Sequence, residues 1–283
     1  MRRLDCLSFR VPDAQACAAF YQDVLGMSSL PRIKNKDDGA ITVGCDPKGM
    51  KLSFHDEDSS CAVPRQSSPK DAYWKIGIVV KNLDHAVAFF HDQNGVAVSK
   101  PAQFLDIGYL CHLTDPAGLT IELLQQGFEG DEQEIDQNQH HPIGGQATLA
   151  HITFRATTNF GHIQNWCQET MNMRLLSIQP VPSFGFTLYF YTWTENDDET
   201  SSMPKPKDLT AVENRPWLWA RPYGLLEIQH RENITTSSSK SDNPLRQTGP
   251  KEAGPTYLTI VEDDEEEEGK SVVTIDCNKD LGL

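Results

Sequence analysis

The chain has 283 residues and carries 40 Asp and Glu against 25 Lys and Arg, a formal net charge of -15. Its basic residues form only short islands such as Arg2-Arg3 and Lys34 to Lys36, which argues against nucleic acid or an anionic membrane surface as partner. No apolar run approaches the ~20 residues needed to span a bilayer and the N-terminus lacks the apolar stretch of a signal peptide, so the expectation is a soluble, cytoplasmic protein of roughly two domains.

The first strand is expected over Leu4 to Val11. Asp13 then offers an N-cap, Cys17, Phe20, Tyr21, Val24 and Leu25 follow at helical spacing, and Gly26 supplies a left-handed stop. A turn at Asp46-Pro-Lys-Gly49 leads into a strand from Met50 to His55, closing a first unit over 1–60. The pattern returns over 70–127. Trp74 to Val80 is the strand, Asn82 the cap, Leu83, Ala86, Phe89 and Phe90 the stripe, and Gly95 the stop; Asp115-Pro-Ala-Gly118 precedes a strand over Leu119 to Leu124.

Residues 128–146 are acidic and amide-rich and read as a linker, with His140-His141 expected to be solvated. A third unit follows over 147–233. It has a strand over Leu149 to Arg155, Asn159 as cap, Ile163, Trp166, Thr170 and Met171 facing inward, Asn172 as the stop, and Arg221-Pro-Tyr-Gly224 before a strand over Leu225 to His230. Residues 234–283 are expected to be flexible, with seven consecutive acidic residues over Glu262 to Glu268 as a solubilising tail. Within them, Gly254 to Ile260 reads as the remnant of a fourth opening strand. The seven cysteines are scattered with no C-x-x-C pair, so neither a disulfide framework nor a zinc knot is expected. Three strand–helix–strand units predict an α+β fold of tandem βαβββ modules, paired into curved mixed sheets because one module alone leaves a sheet face bare.

Particular phrases carry a resemblance. Phe9-Arg-Val-Pro-Asp13 with Phe20-Tyr-Gln-Asp-Val-Leu-Gly-Met27, Ile76-Gly-Ile-Val-Val80 with Thr114-Asp-Pro-Ala-Gly-Leu-Thr-Ile-Glu-Leu123, and Phe186-Thr-Leu-Tyr-Phe190 with Met203-Pro-Lys-Pro-Lys207 and Gly224-Leu-Leu-Glu-Ile-Gln-His230 resemble the vicinal oxygen chelate superfamily, and within it glyoxalase I (lactoylglutathione lyase). That resemblance spans residues 1 to about 231. It implies that each module gives one residue from its first strand and one from its last to a cup holding a divalent metal, Zn(II) or Ni(II). The implied reaction is isomerisation of a glutathione–methylglyoxal hemithioacetal to S-lactoylglutathione, with a metal-bound glutamate as base.

Carried over residue by residue, the pattern is uneven. The third unit supplies His151 and Glu227, both of ligand type. The second supplies Lys75, where the family has His, and Glu122. The first supplies Cys6 and Ser53, and Tyr257 stands in the register of a fourth. Pairing the first unit with the second would gather Cys6, Ser53, Lys75 and Glu122, a poor metal cup. Pairing the two inner units would gather His151, Glu227 and Glu122 as metal ligands, with Glu122 and Glu227 as the catalytic carboxylates and Lys75 as the fourth group. Lys75 would then either hydrogen-bond substrate or form an ion pair with a glutamate in the metal's place.

For glutathione, Arg155 (and Arg10 by repeat), Arg231 and Lys100 are the candidate holders. Plainer readings stand beside these: His151 as a structural histidine, Glu122 and Glu227 as core ion pairs, and Trp217-Leu-Trp219 as sheet packing. A dioxygenase would need two His and one Glu, and only His151 is in register. The alternative to the enzyme is a catalytically inactive module of the same fold that binds a small molecule or a protein. A homodimer is expected if one sheet is left unpaired.

Overall fold

The computed structural model describes residues 2–31, 39–56, 64–92, 96–130, 141–193, 208–231, 245, 253–263 and 270–277. Gly95, His140, the loop from Met203 to Lys207 and residues 264–268 of the acidic run lie outside them. Chain order begins with β1 (Arg2–Val11), α1 (Ala14–Asp23), β2 (Ser28–Ser29), β3 (Ile41–Gly44) and β4 (Lys51–Asp56). Next come β5 (Tyr73–Val80), α2 (Leu83–Asp92), β6 (Ala102–Phe104), β7 (Gly108–Thr114) and β8 (Thr120–Gln125). The third module has β9 (Thr148–Ala156), α3 (Phe160–Asn165), β10 (Arg174–Val181), β11 (Phe186–Thr192), α4 (Asn214–Trp219) and β12 (Leu225–Arg231), before β13 (Gly254–Asp263) and β14 (Lys270–Asp276).

Local chemistry explains several helix ends. Asp13 caps α1 by accepting from Ala16 N at 2.8 Å, and Asn82 caps α2 by accepting from His85 N at 2.9 Å. Gly26 (φ 66°) takes the left-handed stop after α1, and Asn172 (φ 52°) takes the one after the π-helical turn Trp166–Thr170 that continues α3. Asn159 differs. It stands at the N-cap of α3 without capping it, because its side chain accepts from Thr157 N behind it. Of the expected turn glycines only Gly118 is left-handed (φ 78°). Gly224 is needed for space, since a Cβ there would lie 2.7 Å from Met50 Sδ.

Strand pairing joins the two inner modules. β5 runs antiparallel to β9, giving an eight-stranded mixed sheet in the order β10-β11-β12-β9-β5-β8-β7-β6. The first module forms a six-stranded sheet, β14-β13-β1-β4-β3-β2, in which β13 lies antiparallel to β1 from Arg10↔Gly254 to Arg2↔Glu262. Part of the segment expected to be flexible is therefore a hairpin, paired with the edge of the first module's sheet.

One apolar core runs beneath both sheets, from Leu4 and Phe9 through Ile76 and Phe154 to Leu258 and Ile275. Tyr73 links them, its ring edge-on to Phe9 at 5.7 Å and to Phe154 at 5.9 Å. His141 is half-buried and bonded to the chain. Its Nε2 lies 3.1 Å from Gly26 O, and its ring fills the place that a side chain at residue 26 would take. No described helix is long and apolar enough to cross a membrane.

Candidate functional site

The site is a row across the eight-stranded sheet. His112 on β7 pairs with Glu122 on β8, Glu122 with Gly77 on β5, and Gly77 with His151 on β9. Side chains two residues apart share a strand face, so Lys75 on β5 joins this row's face; Glu227 comes to it from β12. Gly77 makes the meeting physical. A Cβ there would lie 2.0 Å from the His151 ring, so the missing side chain lets the imidazole lie across β5 toward Glu122.

The inner-module pairing thus brings Glu122, His151, Glu227 and Lys75 together, as the resemblance implies for that arrangement. The contacts then depart from a metal cup. Lys75 Nζ is ion-paired with Glu122 Oε2, and only 4% of either side chain is exposed. Nζ also lies 4.2 Å from the centre of the Trp74 ring, whose π face favours a cation. His112 Nε2 is 3.0 Å from Glu122 Oε2, while His151 Nε2 is 3.4 Å from Glu122 Oε1 and 3.1 Å from Glu227 Oε2. These imidazoles reach ion-pairing distance but lie off the line of a good hydrogen bond, and Glu227 Oε1 is buried without a hydrogen-bond partner in the protein. Burial alone would push the Glu122 carboxyl up. The Lys75 ammonium, with the imidazoles of His112 and His151 adding to it, holds that group well below the usual carboxylate range.

Above the row lies a cavity of about 320 Å³. Trp74, Leu110, Phe184, Phe186 and Leu188 make it mostly apolar, and Lys75, His112, Glu122, Arg155, Arg231 and Gln229 supply its polar groups. Phe104 of the second module meets Phe184 of the third at 5.2 Å between ring centres, spanning the rim. Arg155 donates to Gln229 Oε1 (3.0 Å) and to the carbonyls of Ser68 (3.0 Å) and Asp71 (3.2 Å), and its guanidinium lies 4.6 Å from the centre of the Trp74 ring. Arg231 donates to Pro69 O at 2.8 Å. Among the described residues neither guanidinium has a carboxylate within ion-pairing range. Burial, then the charge of Arg231, lowers the Arg155 pKa to about 10, so it remains charged at neutral pH.

Not every expected residue is here. Lys100 is exposed and does not line the cavity. Arg10 belongs to the other sheet, beside His55. In that sheet Ser53 pairs with Ser8 and Thr42, and its hydroxyl accepts from Thr42 Oγ1 at 3.4 Å; Tyr257 pairs with Ser8 and is 39% exposed. Trp219 packs below the site, 5.8 Å from the His151 ring, with Nε1 donating to Ile107 O at 3.2 Å. His112 was not singled out from the sequence. The hairpin turn at Asp115 to Gly118 contained the signal, because its register sets residue 112 opposite residue 122.

The sequence model of the Glyoxalase/Bleomycin resistance protein/Dioxygenase superfamily matches residues 3–123. Glyoxalase I from Zea mays aligns in structure over 84% of this chain and 70% of that one, with a TM-score of 0.55 at 14% identity. A mutant of the maize enzyme aligns over the same shares, with a TM-score of 0.56 at 15% identity. This chain has the glyoxalase fold. No curated protein matches it.

The glyoxalase fold implies a divalent metal, and the donor chemistry decides whether these residues suit one. Two carboxylates and two imidazoles are at hand, but an ammonium is bonded to the carboxylate that both imidazoles share. Among the described residues no three His, Cys, Asp or Glu side chains are disposed to share an ion. The set as it stands does not fit a metal.

Proposed function

We propose that the cup between the second and third modules binds a small molecule with an apolar, partly aromatic body and an anionic group, without a metal ion. One observation carries this reading. Arg155 and Arg231 line an apolar cavity of about 320 Å³ with no described carboxylate in ion-pairing range, while the remaining cation, Lys75, is committed to Glu122. Charge-assisted contacts to a guanidinium suit a carboxylate or sulfonate, and Trp74 with the Phe184–Phe186 wall suits a flat apolar body. This is the binding-module alternative. The metal-dependent isomerisation of a glutathione hemithioacetal needs an ion that the Lys75–Glu122 pair opposes.

Titration with 1-anilinonaphthalene-8-sulfonate, followed by displacement with aryl carboxylates and their methyl esters, tests the proposal. The carboxylates are expected to compete and the esters to fail, and Arg231→Gln is expected to weaken binding by about tenfold, the size of one charge-assisted contact. Esters competing equally well would overturn the assignment. With methylglyoxal, glutathione and Zn(II) or Ni(II), no thioester absorbance is expected.

A further inference from the structure

We infer that Arg215 is the latch of the cavity's mouth: it holds the turn between β6 and β7 against α4, which keeps Phe104 across the opening, and its release lets a ligand pass. This rests on the reading of the cup as a binding site, and the test separates the two.

The turn is one leaf of the mouth. Phe104 and Ile107 line the cavity, whereas Leu105, Asp106 and Arg215 do not. Phe104 meets Phe184 of the third module at 5.2 Å between ring centres, and Phe184 is itself 57% exposed, so this aromatic contact stands between the cavity and solvent. Within its own module the leaf is held lightly. β6 is three residues long and pairs with β7 alone, and the turn adds Ile107 N donating to Phe104 O at 3.0 Å and the Gln103 amide donating to Leu105 O at 3.1 Å. Leu105 opposes the conformation it is held in. Its φ is 49°, a left-handed value that a residue with a Cβ disfavours, and its side chain gains little packing there, at 51% exposed.

What outweighs that strain comes from the third module. Arg215 Nη1 donates to Asp106 O and is ion-paired with Asp106 Oδ2 at 2.6 Å, while Trp219 Nε1 donates to Ile107 O at 3.2 Å. Trp219 is fixed from below by Phe190 and His151, at 5.4 and 5.8 Å between ring centres, so α4 is a firm base. The ion pair is built differently. Arg215 is only 1% exposed, but half of the Asp106 side chain faces solvent. Water can take over Asp106 when the turn lifts, whereas the buried guanidinium then loses its carboxylate. The pair therefore draws the leaf back down without welding it shut. A leaf that must lift for passage in either direction slows entry and exit alike and leaves affinity unchanged; a residue that only shapes the cavity changes affinity.

The test uses the full chain. Wild type, Asp106→Asn and Asp106→Ala are mixed with 1-anilinonaphthalene-8-sulfonate by stopped flow for the association and dissociation rate constants, and amide hydrogen exchange over residues 102–110 is followed without it. Asp106→Ala is expected to raise both rate constants by about tenfold, the size of one charge-assisted bond, with Kd unchanged within about twofold. Asp106→Asn keeps an acceptor and loses the charge, so it is expected to fall between. Exchange at the Ile107 amide is expected to quicken by a similar factor while β9 is unaffected.

Rate constants and exchange that match wild type would overturn the inference, as would a weaker Kd carried by dissociation alone. If Asp106→Ala leaves the Arg215 charge stranded and does not fold, Arg215→Met/Asp106→Ala removes both charges and is read in the same way. A wild type that does not bind the sulfonate would sink the binding reading; exchange at Ile107 then decides the latch by itself, quicker in the variant supporting it and equal overturning it.

Discussion

Gly77 is the residue on which the site's geometry turns. The His151 ring lies 2.0–2.4 Å from where a Cβ would be, and a strand paired on both sides cannot move away without losing hydrogen bonds. Gly77→Ala is expected to cost about 2–3 kcal/mol, the upper part of the range for overpacked cores, read as a lower urea midpoint at unchanged slope. A change below about 0.5 kcal/mol would show that the ring has another place to go. Much of this was legible beforehand: a glycine amid Ile76, Ile78 and Val79 is out of place in a strand unless something approaches closely. That the approaching group is His151 was not legible, because β5 and β9 are joined by no short turn that sets their register.

Asp115 carries a pH dependence of its own. Its Oδ1 accepts from Ala117 N and Leu119 N, both at 2.9 Å, and Oδ2 accepts from Tyr21 OH at 3.2 Å. Burial nevertheless outweighs these bonds and raises its pKa from 3.8 to about 7. The folded chain then binds a proton between those values that the unfolded chain has released, so stability from this group is full below the unfolded value, falls as pH rises through the window, and is flat above it. The amplitude is at most roughly 4 kcal/mol, from about three units at 1.36 kcal/mol each. Asn keeps the acceptor for the two amides, so Asp115→Asn is expected to flatten the fall in Tm between pH 4 and 7 (about the span of the two pKa values) relative to wild type. Equal slopes in the two proteins would remove Asp115 as the cause.

At the scale of elements, the hairpin β13–β14 completes the first sheet. It covers the outer edge of β1 and buries Leu258, Ile260 and Val261, and Arg65 ties its approach to the inter-module segment by donating to Ala253 O at 3.2 Å. A chain ending at Arg231 would bare that edge together with apolar surface. Exposed edges with apolar faces associate, so this form is expected to sediment as dimers or larger species; a monodisperse monomer with unchanged Tm would show the hairpin to be dispensable.

The opening strand of this hairpin was visible in Gly254 to Ile260 as a fragment of the repeat. Its role was not, because the fourth unit's helix and closing strand are missing and an isolated strand gives no sign of the edge it will pair with. Helix ends were more legible, since Asp13 and Asn82 cap through bonds within a few residues. Asn159 departs from the same rule because its amide had a nearer donor, Thr157 N.

Over the whole molecule, the repeat in hydrophobic pattern, caps and Pro-x-Gly turns was enough to point to an α+β fold with curved mixed sheets. Such signals are local, carried by contacts within a single turn or hairpin. The pairing of modules is a different kind of quantity. Cys6, Ser53, Lys75 and Glu122 would have shared a cup had the first two modules paired; pairing β5 with β9 instead gathers Lys75 and Glu122 with His151 and Glu227 and leaves the serine side apart. Charge then settles the chemistry of the cup. Electrostatic attraction depends on separation and burial, neither of which strand position alone specifies, and it is the closeness of Lys75 to Glu122 inside the assembled sheet that makes a buried ion pair of two of the gathered groups, beneath an apolar, arginine-lined cavity.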